Sequence, residues 1–222
     1  MHIDKEEVLR YLGYKNQKLE RSLELLIDEC IEEIKKYIPY KYTFKIFDIE
    51  KNIEGIELSN SNLIFKGNAI EKHLKDSQSC AVMAVTLGNI VDTKIRYYEK
   101  VNLTKALILD ACATSVVELI CDEVQEVIKK EAVKLGLGIT YRYSPGYGDF
   151  SIDIQSKILE ALEAHKKIGL SATEDSILIP RKSVTAVIGF QNKNIISEHP
   201  GCKICSKYEN CEYKIGGNYC GN

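Results

Sequence analysis

Residues 103–135 read LTKALILDACATSVVELICDEVQEVIKKEAVKL, the longest helical signal in the chain. Leu107, Ile108, Ala111, Ser115, Val116, Leu119, Ile120, Val124, Val127 and Ile128 recur along it at helical spacing. The first half is apolar nearly all round and small in places, so it is expected to run through the core. The second half, Glu123 to Lys134, is amphipathic and suits a surface. Glu118 and Asp122 stand one turn apart on one face where the halves meet. A carboxylate is costly to bury there without a partner. Glu118 is therefore either a solvated face residue or a group that meets a cationic ligand.

Outward from this helix the chain alternates helical and strand signals. Asp4 can cap a short helix through Leu12 that Gly13 ends. Residues 17–36 carry Leu19, Leu23, Leu26, Ile27, Ile31 and Ile34 at helical spacing, and Pro39 follows their end. Strands are expected over 42–49, 55–58 and 62–65, as a small antiparallel meander. Asn68 can cap a helix through Leu74. Residues 79–87 form a small-residue apolar run that suits a strand buried on both faces. The Thr86-Leu87-Gly88 turn that ends it is a connection or a ligand edge, and a further helix runs through Tyr98. Beyond the long helix come a strand over 139–141, a helix from Ser151 or Asp153 through His165, and strands over 176–179 and 184–190. Lys166 and Lys167 complement the negative end of that helix, and Gly169 stops it.

The chain has 222 residues, 45% hydrophobic and 28% charged, which suits one generous globular domain with a substantial core. A formal net charge of −2 gives no general pull toward nucleic acid or an acidic membrane. No run of 18 or more apolar residues occurs, so no bilayer span is expected. The N-terminus is polar and acidic where a secretory signal would be basic and then apolar, so a cytoplasmic protein is expected. Of the eight cysteines, Cys30, Cys80, Cys112 and Cys121 stand singly in apolar surroundings and read as small core residues. Cys202, Cys205, Cys211 and Cys220 crowd the last 21 residues with the spacing C-x2-C-x5-C-x8-C. Four such thiolates can hold zinc or an iron–sulfur cluster, and the alternative is a reduced tail without metal.

Residues 142–150, Arg142-Tyr143-Ser144-Pro145-Gly146-Tyr147-Gly148-Asp149-Phe150, cannot be helix. Pro145 fixes its own φ and drives Ser144 out of the α region. Gly146 and Gly148 permit positive φ or a close backbone approach to a bound group. The stretch is a well-made turn or a rigid, polar, aromatic binding loop. No Ser-His-Asp or Cys-His constellation stands out, and His73, His165 and His199 are isolated, so no catalytic residue is assigned.

Arg142-Tyr143-Ser144-Pro145-Gly146-Tyr147 resembles the Arg-x-x-Pro-Gly-Tyr motif of the activation domain of cobalamin-dependent methionine synthase. The continuation agrees through Leu170-Ser171-Ala172-Thr173-Glu174-Asp175, Pro180 and Ser183-Val184, and upstream through the long helix and Thr86-Leu87-Gly88. The likeness is greatest to short, stand-alone forms with Arg-x-Ser-Pro-Gly-Tyr-Gly-Asp and Pro-Arg-Lys-Ser-Val-Thr. Where the family has an aromatic after the Ser-Val strand start, this chain has Val187 and Ile188.

The resemblance implies an α+β fold: a mixed or antiparallel curved sheet packed around the helix over 103–135. The domain is expected over 1–197, with a cysteine-rich metal-binding tail over 198–222. It further implies an S-adenosylmethionine site in which Arg142 pairs with the ligand carboxylate and Glu118 meets the ammonium or sulfonium. Ser144, Pro145 and Gly146 would shape the site by their backbone, and Tyr147 would add its ring or hydroxyl. The implied partners are a separate methionine synthase chain that carries the cobalamin, and an electron donor protein. The role would be reductive methylation, or reactivation, of that cobalamin. Two alternatives stand beside it: reactivation of another corrinoid methyltransferase with an iron–sulfur tail, and a non-catalytic metal-binding interaction module.

Overall fold

The fold is taken from a computed structural model that describes residues 2–14, 17–37 and 40–195. The C-terminal cysteines and the expected 198–222 tail lie outside the described residues. In chain order the elements are α1 (Lys5–Tyr11), α2 (Arg21–Lys36), β1 (Lys41–Asn52), β2 (Gly55–Leu58), β3 (Ile64–Phe65), α3 (Asn68–His73), β4 (Ser77–Thr86), α4 (Asn89–Val101) and α5 (Leu103–Lys134). Then follow β5 (Leu137–Ile139), a 3-10 turn (Ile152–Ile154), α6 (Gln155–Ala161), α7 (Ala164–Ile168), β6 (Ser171–Ala172), β7 (Leu178–Ile179) and β8 (Ser183–Asn192).

The main sheet has the order β3-β2-β1-β4-β8-β5, and every pairing in it is antiparallel. β1 is long enough to serve two neighbours. Residues 41–48 pair with β4 and residues 49–52 with β2, so the sheet curls where the strand changes partner. β4 is buried on both faces, as its apolar run requires. Ala81, Met83 and Val85 join the core under α1, α2, α4 and α5, while Cys80, Val82 and Ala84 join the core under α3, α6 and α7. β8 divides likewise, with Ala186, Ile188 and Phe190 on the α5 side and Val187 on the other. α5 lies across the first face and contributes most of its buried residues through its first two-thirds.

Several local expectations shift. The second helix starts at Arg21 rather than Gln17, behind Glu20 as N-cap. The strand expected over 139–141 is β5 at 137–139. The helix expected through His165 breaks in two, because Glu163 adopts a left-handed conformation with φ +54°. Asn68 does not cap α3: the N-cap is Gly67, which has no side chain to cap with, and the cap comes from elsewhere in the chain. The two-residue pair of β6 with β7 was not anticipated.

Candidate functional site

The turn after α5 fixes the start of the candidate loop. Gly136 adopts φ +73°, β5 pairs with the end of β8, and Thr140 N–H donates to Gly189 O at 2.9 Å. Tyr143 and Val187 then exchange both backbone hydrogen bonds, at 3.0 and 2.9 Å. Residues 140–143 are thus held to β8 on both sides of Arg142.

Past Tyr143 the chain turns back on itself. Tyr147 N–H donates to Ser144 O at 3.3 Å, Gly146 N–H to Phe150 O at 2.8 Å and Phe150 N–H to Tyr147 O at 3.1 Å. Pro145 and Phe150 are buried under the turn. Gly146 stands at φ +95°, and a Cβ there would meet nothing within 4 Å. Its N–H being committed to Phe150, what Gly146 offers a ligand is open space above a bare α-carbon. Tyr147 is 62% exposed, its ring 6.1 Å from that of Tyr143.

The loop is clasped from below by α3. The Asp149 carboxylate accepts from Asn68 N–H and Ala69 N–H, both at 2.8 Å, and from the Asn68 side-chain amide at 3.1 Å. This supplies the missing cap, and it explains two glycines by close approach. A Cβ on Gly67 would sit 2.8 Å from Asp149 O, and one on Gly148 would sit 2.8 Å from Ala69 Cβ. At the other end of α3, the His73 ring lies 4.6 Å from Tyr141 and 5.0 Å, stacked, from Tyr143. His73 Nε2 is 3.0 Å from Thr140 Oγ1. Hydrogen bonding to Ala69 and Asn68 N–H holds the Asp149 carboxyl below the usual carboxylate range.

The long helix meets the loop through charge. Arg142 Nη1 donates to Asp122 Oδ1 at 2.5 Å and, weakly, to Gln125 Oε1 at 3.4 Å, while Nη2 donates to Glu118 Oε2 at 3.2 Å. The Arg142 side chain is only 12% exposed, against 37% for Glu118 and 50% for Asp122. Burial pushes the Glu118 carboxyl above its ordinary value. Arg142 pulls it back, Asp122 pushes it further up, and Arg10 pulls it down, without cancelling the shift. Burial works against the Arg142 charge, but the hydrogen bond to Asp122 and the charges around it, those of Asp122 and Glu118 among them, together outweigh it, and the guanidinium is held more firmly protonated. α1 packs on α5 beside this cluster, which brings Arg10 and Tyr11 within electrostatic reach of Glu118.

The same helix face continues N-terminally. Asp110 and Thr114 precede Glu118 at four-residue steps, and Lys182 Nζ contacts both, at 2.9 Å each. Asp110 to Asp122 spans about 18 Å at the α-helical rise, with Lys182 at one end of the stripe and Arg142 at the other. The Pro180–Ser183 turn that carries Lys182 is pinned to the Thr86-Leu87-Gly88 turn. Leu87 N–H donates to Lys182 O at 2.9 Å, and the Ser183 hydroxyl donates to Thr86 Oγ1 at 2.8 Å. Arg181 N–H adds a bond to the buried Asp92 carboxylate at 2.7 Å. Thr86-Leu87-Gly88 is thus a turn braced by a second turn.

The structure thus brings Arg142 and Glu118 together and sets Ser144, Pro145, Gly146 and Tyr147 in one turn beside them. Asp122 was legible as a neighbour of Glu118 on its helix face, whereas Gln125 was not singled out. Asp149, His73 and Lys182 were not assigned, because their partners lie 67 to 81 residues away along the chain. Two surface recesses, of about 490 Å³ between Leu12 and Leu23 and about 460 Å³ beside Lys45 and Lys157, have none of these residues in their linings.

No protein-family model matches the chain, and no curated protein matches it. Among solved structures it is similar to the crystal structure of the MetH reactivation domain bound to AdoHcy, with a TM-score of 0.60 and 14% identity. The match covers 79% of this chain and 66% of that one, so this chain spans slightly less than two thirds of the length it is compared with. With its curled antiparallel sheet and long central helix, the chain has the fold of the MetH reactivation domain.

Proposed function

We propose that this chain binds S-adenosylmethionine at the Arg142 loop and presents it for the reductive methylation of a cobalamin carried by a separate methionine synthase chain. The observation that carries this reading is the juxtaposition of Arg142 and Glu118, 3.2 Å apart, one on the stretch bonded to β8 and the other on α5. A guanidinium and a carboxylate so placed complement the carboxylate and ammonium of one α-amino acid. The Arg-x-Ser-Pro-Gly-Tyr turn beside them supports the reading, as does the likeness to a domain solved with AdoHcy.

In this reading Arg142 takes the ligand carboxylate, and Glu118 takes the ammonium and lowers the energy of the nearby sulfonium. Gly146 leaves room for the ligand, and the ring of Tyr147 covers it. The chain contributes positioning and exclusion of water rather than a nucleophile. Cobalamin on the partner supplies the nucleophilic centre, and an electron donor protein supplies the electron. The C-x2-C-x5-C-x8-C spacing of Cys202, Cys205, Cys211 and Cys220 supports a four-thiolate metal site appended to the domain, with zinc as a structural ion or an iron–sulfur cluster as an electron carrier. The same spacing favours, as a second reading, reactivation of a different corrinoid methyltransferase by a chain that brings its own electron.

The test is calorimetric titration of S-adenosylmethionine into anaerobically purified protein whose metal content has been assayed. Binding that weakens with Arg142→Ala supports the proposal. A folded protein that binds no S-adenosylmethionine, alone or with a cobalamin-bearing partner, overturns it in favour of a non-catalytic interaction module.

A further inference from the structure

The Arg142 guanidinium is engaged by two carboxylates, and they are not equivalent. Asp122 makes the shorter contact, at 2.5 Å, yet its side chain is 50% exposed. Glu118 makes the longer one, at 3.2 Å, and is the less exposed of the two at 37%. An exposed carboxylate can leave an ion pair for water at little cost, whereas a more buried one loses its partner at greater cost. Gln125 Oε1, at 3.4 Å from Nη1, is too distant to hold the guanidinium in place of Asp122.

From this asymmetry we infer that Asp122 is a placeholder for the ligand's carboxylate: it holds Nη1 of Arg142 and swings into solvent when an α-amino acid carboxylate takes its place. The inference rests on the S-adenosylmethionine reading and makes Asp122 a residue that sets affinity. Glu118 stays in place and passes from the guanidinium to the incoming ammonium. Binding then exchanges one carboxylate for another on the same cation, and the measured affinity is the difference between the two.

The sign of the expected effect separates this exchange from simple electrostatics. S-adenosylmethionine carries a net positive charge, so the loss of a nearby aspartate should weaken its binding if Asp122 acts only through its field. A placeholder predicts the opposite. Asp122→Asn keeps the shape and removes the competing charge, and it should tighten S-adenosylmethionine binding by roughly twofold to fivefold, the scale of a partly exposed ion pair. Decarboxylated S-adenosylmethionine cannot displace Asp122, so the same variant should bind that analogue equally or less tightly than the unmodified chain does.

Both ligands should be titrated calorimetrically into the unmodified chain and Asp122→Asn, with thermal melts to confirm that both are folded. Tightening for S-adenosylmethionine alone supports the inference. Unchanged or weaker S-adenosylmethionine binding, or equal tightening for both ligands, overturns it while leaving the binding reading intact. If neither protein binds either ligand, the binding reading fails, and the placeholder fails with it, because a vacated Arg142 would have exposed no site.

Discussion

At the scale of single residues, the fold disfavours the charge of Glu118 and favours that of Arg142 beside it. Glu118 has its carboxyl raised by burial, so its charged form is less stable in the folded chain than in the unfolded one. The folded state then binds the proton more tightly. Whatever stability Glu118 contributes is fully present below the ordinary carboxylate range and is lost as pH rises through the raised folded value. Glu118→Gln should therefore melt no lower than the unmodified chain at pH 7, and its advantage should vanish as pH falls toward 4. The same variant should bind S-adenosylmethionine more weakly at pH 7, which melts and titrations on one sample can check together. Arg142→Ala should leave the domain folded and weaken binding by about 1–3 kcal/mol, the range of a hydrogen bond to a charged group. Unchanged affinity in that variant would remove Arg142 from the site.

At the scale of elements, the candidate loop is a clasp between β8 and α3. Asp149 is the residue that makes α3 possible, since this six-residue helix begins at a glycine and takes its cap from 80 residues away. The depressed Asp149 carboxyl has the opposite linkage to Glu118. Its contribution is present above the ordinary aspartate range and is lost as pH falls through the lowered folded value. Asp149→Asn should lower the melting temperature at pH 7, and the gap to the unmodified chain should close in acid. Amide exchange should speed up together at Asn68, Ala69 and the 142–147 turn, and faster exchange at α3 alone would show that the loop stands without its clasp. This contact also marks where sequence reading stopped. α5 was legible because its apolar period repeats through many turns, and β4 because its small apolar run leaves no polar face. The Arg142 turn was legible from Pro145 and two glycines acting on their own neighbours. The cap of α3 was assigned to Asn68 because it stood nearest, whereas the actual acceptor is specified only by tertiary packing. The break at Glu163 was equally hidden, since nothing local demands a left-handed glutamate there.

For the molecule as a whole, the eight cysteines divide by their place in the sequence, and the division makes the tail testable apart from the body. Cys30, Cys80, Cys112 and Cys121 are fully buried in the two cores. Burial raises their thiols to about 11 at Cys30 and about 12 at Cys80 and Cys112, and raises Cys121 as well. Thiolates are the reactive species, so these four should be silent toward an alkylating reagent at pH 8 in the folded chain. Any fast-reacting thiols must then belong to Cys202, Cys205, Cys211 and Cys220. Metal on those four should suppress that reaction until a chelator or, for an iron–sulfur cluster, an oxidant strips it. Mass analysis after brief alkylation, with and without chelator, should show labels confined to the tail and rising on metal removal. Cys202→Ser combined with Cys205→Ser should lower the metal content while the melt of the body is unchanged, because the two cores among the described residues are built between Ile3 and Phe190. Labelling of the four buried cysteines without denaturant would mean that the body opens under native conditions. A melt that falls with the double variant would instead make the tail a structural part of the domain, so that the loss of its metal would also loosen the Arg142 loop.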